Sequence, residues 1–229
     1  LKHAQNEMRF TQLLTEAMSH VIIVWQRNLQ DLRNGLVFII QNEFTMSQPL
    51  SYFIEEIKDS HPEMELEHLI LSAVAVMTAY SPHSYCDFQL ECQDLPADWV
   101  RGNVPSTIRI HWHSETAIRA KRISKIHQRK NLVEFAAIAI AFILFPQGVD
   151  LSGFEPTDIG ERADYWIANR KYLVEISGTE TLDKVRQRRW EKIAQLLSNP
   201  SKQDGYVVVC GFATQEILLS FHQQEEKNG

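Results

Sequence analysis

The sequence is poor in the residues that staple small proteins and in the runs that build membrane proteins. Cysteine occurs only three times in 229 residues, as Cys86, Cys92 and Cys210. The number is odd, no pair has the C-x-x-C spacing, and each lies in or beside an apolar run, which argues against a disulfide framework or a zinc site. No basic-then-apolar leader opens the chain, and a reducing cytoplasm is the expected setting. The longest apolar run, "FAAIAIAFILF" at 135–145, falls short of the ~20 residues that cross a bilayer, so it predicts a buried helix and no membrane partner. Internal repeats and low-complexity tracts are also missing. With 44% apolar and 23% charged residues, the composition is that of an ordinary globular chain, long enough for one large core or two modest ones.

Positive charge is the scarcer sign: 23 Lys and Arg stand against 29 Asp and Glu, a formal net charge of -6. That excludes a uniformly cationic coat. The distribution is nevertheless uneven, because basic residues gather in "RAKRISKIHQRK" (119–130) and "KVRQRRWEK" (184–192), while "FIEEIKDSHPEMELEH" and the C-terminal residues are acidic. Such clusters on an acidic chain suit local phosphate contacts, and they also suit solvated helix faces.

Apolar residues recur at helical spacing from Phe10 to Trp25, and "YFIEEIKD" and "ELEHLILSAVAVMTAY" predict further helices. The period then changes. "CDFQLEC" and "TIRIHWH" alternate and read as two strands, joined by a connection rich in proline and glycine. A long helical stretch is expected from Glu115 to Phe145, closed by Pro146 and Gly148. After it come "FEPTDIGERADYWIA" (strand, turn, strand), "KYLVEISG" (strand), "TLDKVRQRRWEKIAQLLS" (helix) and "DGYVVVCGFA" (strand). The expected organisation is a mostly helical accessory region over 1–114 and an α/β (α+β) core over 115–229.

Two carboxylates stand out in that core. Alternation in "KYLVEISG" puts Glu175 on one face with Leu173 and Ser177, between the apolar Val174 and Ile176, and a carboxylate there needs a partner. In "ADYWIA" the same rule groups Asp164 with Trp166. A short turn at "ANR" would make these strands antiparallel neighbours. Two acids a few ångströms apart repel and raise each other's pKa, and a divalent cation relieves this; hard oxygen ligands suit Mg²⁺. The plainer reading is a turn-forming Asp164 and a Glu175 salt-bridged to a helix arginine. His111 and His113 share a strand face without a third ligand, and the tryptophans are expected in cores or interfaces.

The order helix, strand, strand, strand, helix, strand, with an acid opening the second strand and Glu-x-Ser-Gly in the third, resembles the αβββαβ core of the PD-(D/E)xK phosphodiesterase (restriction-endonuclease-like) superfamily over about 131–215. The resemblance implies a Mg²⁺-dependent nuclease, with Mn²⁺ as a substitute, in a prokaryotic defence or DNA-processing role. It assigns Asp164 and Glu175 as metal-binding and catalytic acids, and Glu134 on the preceding helix as a third ligand. Two departures from the pattern stand out: Ala163 replaces the proline, and Ser177 fills the lysine slot. The missing cation is then expected from the following helix, at Lys184 or Arg188. Arg119, Lys121, Arg122 and Lys192 become the expected nucleic-acid contacts, with DNA the first candidate substrate. The helical first half is left for substrate, homodimer or partner contacts. The alternative keeps the fold without the reaction: Ser177 marks a degenerate site, and the protein binds nucleic acid or serves assembly.

Overall fold

The computed structural model describes residues 49–96, 106–147, 153–158 and 163–224. The helical pattern read up to residue 48 lies outside these, as do Trp25, Trp99 and Glu161. The described chain is mixed α/β, with an eight-stranded mixed sheet in the order β1-β3-β2-β8-β7-β6-β5-β4. The strands are β1 Leu50–Phe53, β2 Tyr85–Gln93, β3 Thr107–His111, β4 Glu155–Pro156, β5 Tyr165–Ile167, β6 Tyr172–Thr179, β7 Gly205–Gly211 and β8 Glu216–His222. The helices are α1 Ile57–Ser60, α2 Glu67–Met77, α3 Ser114–Ile123, α4 Arg129–Leu144 and α5 Val185–Leu197.

Two layers of helix sandwich part of this sheet. The apolar helices α2 and α4 pack on one face, where Val74, Ile140 and Phe142 meet Phe88, Ile110, Val174, Ile176, Val208 and Leu219 in the main core. On the other face α5 presents Val185, Ile193 and Leu196 to Trp166, Leu173, Val207, Val209 and Leu218. This stripe recurs at three and four residues, as one helix face requires. Leu182, inside the helix expected from "TLDKVRQRRWEKIAQLLS", precedes α5 and is 69% exposed. No described helix is long and apolar enough to cross a membrane.

Three expectations change. The single helix expected over 115–145 is two, α3 and α4, separated at Ser124–Gln128. "YFIEEIKD" opens as a strand, because Leu50–Phe53 pairs in parallel with Ile108–His111, and only Ile54–Ser60 turns helical. The strand β8 was not anticipated, although it joins the two halves of the sheet by pairing with β7 on one side and β2 on the other. Through β8, the strands before residue 114 and those after it belong to one sheet. The sequence boundary between 114 and 115 therefore marks no break in the strand order.

Candidate active site

Strand β6 carries the site. It pairs with β7 in parallel along Leu173–Thr179, but with β5 only at Tyr172–Val174. The β5–β6 turn is closed by Ala168, Asn169 and Arg170, all left-handed with φ 54, 55 and 64°. It sets Tyr165 opposite Val174. Continued by one residue, the same register puts Asp164 opposite Glu175, and the Asp164 N–H donates to the Val174 carbonyl at 3.1 Å. Adjacent strands lie ~4.8 Å apart, so side chains at this level on one face are neighbours.

Beyond Val174 the β5 side of β6 has lost its strand partner, and two acids take over the backbone. The Ile176 N–H donates to Asp164 Oδ2 at 2.6 Å, and the Gly178 N–H to Glu134 Oε2 at 3.3 Å. Glu134 reaches this far because α4 lies close against the strand: a Cβ added to Gly178 would stand 2.4 Å from the Val133 carbonyl oxygen.

The third contributor comes from the opposite face. Lys192 falls on the buried stripe of α5, three residues after Arg189 and one before Ile193, and its ammonium donates to Glu175 Oε2 at 2.6 Å and to Asp164 Oδ2 at 3.3 Å. Side-chain exposure rises from 0% for Glu175 through 18% for Lys192 to 34% for Asp164. The cluster therefore opens to solvent on the Asp164 side.

Burial dominates the electrostatics. It pushes the Glu175 carboxyl up to about 7, the Asp164 charge adds to the rise, and Lys192 opposes it. Glu134 is also raised by burial, against the lowering effects of the Gly178 N–H and the charges of Lys192 and Arg188. For Lys192, burial acts downward, but the charges of Asp164 and Glu175 prevail and hold the ammonium above its ordinary value. One cation faces two carboxylates, and Glu175 keeps a buried oxygen, Oε1, with no hydrogen-bond partner. Such an oxygen is costly to bury, and a further proton or cation would satisfy it.

The structure thus brings Asp164, Glu175 and Lys192 into contact, with Glu134 close enough to feel both Lys192 and Arg188. Lys184 is an exposed N-cap of α5, and Arg188 pairs with Glu191 at 3.1 Å. Neither makes a hydrogen bond to the carboxylates, so the cation on the acids is Lys192, which the sequence had placed on nucleic acid. The signal lay in helix phase: Val185, Arg189, Lys192, Ile193 and Leu196 form one stripe with two cations, of which Arg189 turns to Gln93 and Glu91 and Lys192 to the acids. Ser177, in the lysine slot, is buried beneath the same helix. Arg119 pairs with Glu67, whereas Lys121 and Arg122 are exposed in the last turn of α3.

Among the described residues, no group of three His, Cys, Asp or Glu side chains stands close enough to share a metal ion. Mg²⁺ does not require one, since it is commonly held by one or two carboxylates, with waters and substrate phosphates completing the shell. The donor chemistry fits: hard oxygens, one of them buried and unpartnered, beside an opening to solvent. Asp164 and Glu175 are the residues that would hold the ion. No protein family, curated protein or solved structure matches the chain.

Proposed function

We propose that the cluster is the centre of a Mg²⁺-dependent nuclease of the PD-(D/E)xK type, in which Lys192 on α5 replaces the lysine that Ser177 does not supply. The observation that carries this reading is one ammonium donating to both carboxylates at the opposed positions of β5 and β6. The run α4, β4, β5, β6, α5, β7, with β6 antiparallel to β5 and parallel to β7, supports it as the order expected of a restriction-endonuclease-like core.

The roles follow from the geometry. Bound between Asp164 and Glu175, Mg²⁺ would supply Lewis-acid polarisation of a phosphodiester. Asp164 is pinned by the Ile176 N–H, so its carboxylate is fixed before substrate arrives. Lys192 offers a preorganised positive charge where negative charge grows on phosphorus-bound oxygens. Glu175, with its proton lost near neutral pH, is poised to exchange a proton with a water at Oε1, the oxygen that Lys192 leaves without a partner.

A second reading has its own support. Asp164 and Glu134 already serve as acceptors for backbone N–H groups, and Lys192 already neutralises Glu175. On those grounds the site is a silent relic in a protein that binds nucleic acid or serves assembly. Cleavage of single- and double-stranded DNA and RNA in Mg²⁺, Mn²⁺ or EDTA separates the two, with Mn²⁺ binding followed by electron paramagnetic resonance. The nuclease reading expects metal-dependent cleavage that is lost in Asp164→Asn and Glu175→Gln and falls ~10²-fold or more in Lys192→Met, with the fold retained. Mn²⁺ binding without cleavage favours the silent site. Neither binding nor cleavage overturns the metal centre.

A further inference from the structure

The face of the sheet that bears Glu175 continues past α5 onto β2, β3 and β1. Glu91 of β2 stands opposite Leu218, which packs under α5, and Arg186 of α5 reaches down to Glu91 at 2.6 Å. Tyr85 and Asp87 share that face by alternation, and the register carries it across from Tyr85 to His111 and from His111 to Phe53. Here the sheet bears a row of rings. His83 stacks on Tyr85 with 5.2 Å between centroids and 9° between planes. Tyr85 meets His111 at 5.6 Å, His111 meets Phe53 at 5.2 Å, and Phe53 meets His113 at 4.8 Å and 22°. The Arg109 guanidinium lies 4.2 Å over the Tyr85 ring, held there by two hydrogen bonds to Asp87 at 2.7 Å.

Two features give this row a chemistry. It is built from flat rings and a guanidinium rather than branched aliphatic groups, and the rings at its ends, His83 and His113, are exposed. Phe53 between them keeps 37% of its surface. A stack with open ends is extended by another flat ring. The chain that leaves the row is also cationic: after His113 come Arg119, Lys121, Arg122, Lys125, Arg129 and Lys130, against the single acid Glu115. Arg119 and Arg129 are paired with Glu67 and Glu180. Lys121, Arg122, Lys125 and Lys130 are exposed and form no ion pair among the described residues. Flat rings beside unpaired cations complement a polymer of bases and phosphates whose bases are free to stack, which means a single strand.

The topology sets this row and the carboxylates on one face of the sheet but apart along the strands: through Val207 and Ser220 the register levels Glu175 with Gln93, eight residues from Tyr85. Strands β1, β3, β6 and β7 run in one direction and β2 in the other. The row at the ends of β1 and β3 and the start of β2 therefore lies at the end of the sheet where β6 finishes. Three strand spacings separate β6 from β2, roughly 14 Å at ~4.8 Å per strand, and the eight residues along β2 add roughly 26 Å at ~3.3 Å each, so Tyr85 lies about 30 Å from Glu175. A single strand of roughly nine nucleotides, at ~3.4 Å each, covers that span.

We propose that the row His83–Tyr85–His111–Phe53–His113 is a stacking site for the bases of single-stranded nucleic acid, whose phosphates run on to the cations of 121–130. It rests on the nuclease reading only for the class of ligand. The test is fluorescence anisotropy in EDTA, with a labelled thymidine oligonucleotide of ~12 residues, the matching abasic oligonucleotide and a DNA hairpin. Variants are the double substitution His83→Ala with His113→Ala, and separately Phe53→Leu, each checked by its melting temperature. The proposal expects the oligonucleotide to bind more tightly than the abasic strand or the hairpin. It expects the double variant to lose affinity by at least about 5-fold, the low end for a stacked base, with an unchanged melting temperature. Equal binding of the abasic strand, wild-type affinity in both variants, or no binding by the wild type overturns it. Because EDTA removes cleavage from the measurement, intact base-dependent binding in a protein that never cuts sinks only the nuclease reading. Metal-dependent cleavage with unaltered binding in the ring variants sinks only this one.

Discussion

One face of the sheet carries two ion pairs of similar make-up and opposite circumstances. Under α5, Lys192 meets Glu175, whose carboxylate is wholly buried; on the open part, Arg109 meets Asp87 with about a third of each side chain in water. The buried pair holds Lys192 above its usual value and leaves Glu175 raised to about 7. In the open pair, the Arg109 hydrogen bond lowers the Asp87 carboxyl. Burial turns the same salt bridge from an orienting contact into a proton-sensitive one. The covering helix, rather than the acids alone, creates the proton-sensitive environment on that half.

The sharpest way to break the contrast is Lys192→Met. It strands Glu175 without a cation, and denaturant unfolding in EDTA at pH 8 should show a loss of about 3 kcal/mol. At pH 5 the loss should shrink, because Glu175 then takes a proton instead. A variant as stable as wild type at pH 8 would mean that Glu175 is neutral there without its lysine.

Next in size is the pH dependence of the wild type. The folded pKa of Glu175, about 7, lies above the ordinary 4.5. Between these values the folded chain keeps a proton that the unfolded chain has released, so this group's contribution falls as pH rises across that window and levels off above it. Its full span is about 3 kcal/mol at 1.36 kcal/mol per unit, less whatever relaxation recovers. Glu175→Gln in EDTA should remove that slope, as chemical denaturation across pH 4.5–7.5 would reveal. A slope that persists in the variant belongs to another group.

Of these substitutions, Arg109→Gln should do least to stability. Its pair is partly solvated, so thermal melts are expected to show only a small fall in melting temperature, diminishing further in high salt. A larger loss would show that the guanidinium over Tyr85 holds the open half together.

Much of the site was legible because strand alternation is strict. "YLVEIS" alone assigns Glu175 to a face and "ADYWIA" assigns Asp164 to the matching one; β6 forms over Glu175, and β5 begins one residue after Asp164. Helix α5 and the apolar α4 were legible from their period. The identity of the reaching cation was not, because Lys184, Arg188 and Lys192 share i, i+4 spacing, and only the phase set by Val185 and Ile193 separates them. The open ring row was illegible for another reason. Phe53, Tyr85 and His111 lie on three strands, and pairing between distant segments leaves no local mark. The same holds for β8, whose place between β7 and β2 is fixed by partners far along the chain. Nothing in "ISKIHQ" announces the break between α3 and α4, since it holds neither glycine nor proline.

The short reach of β5 has a consequence of another kind. Past Val174 the rim of β6 would offer its amides to any passing strand, and unpaired rims of this sort seed aggregation. Here Asp164 and Glu134 occupy those amides at Ile176 and Gly178, and their charge repels an incoming backbone as a gatekeeper would. The acids of the proposed chemistry therefore also guard solubility. The pressure to keep them on this rim would stand whether or not the proposed chemistry operates, and losing both would leave the amides of Ile176 and Gly178 open to an incoming strand.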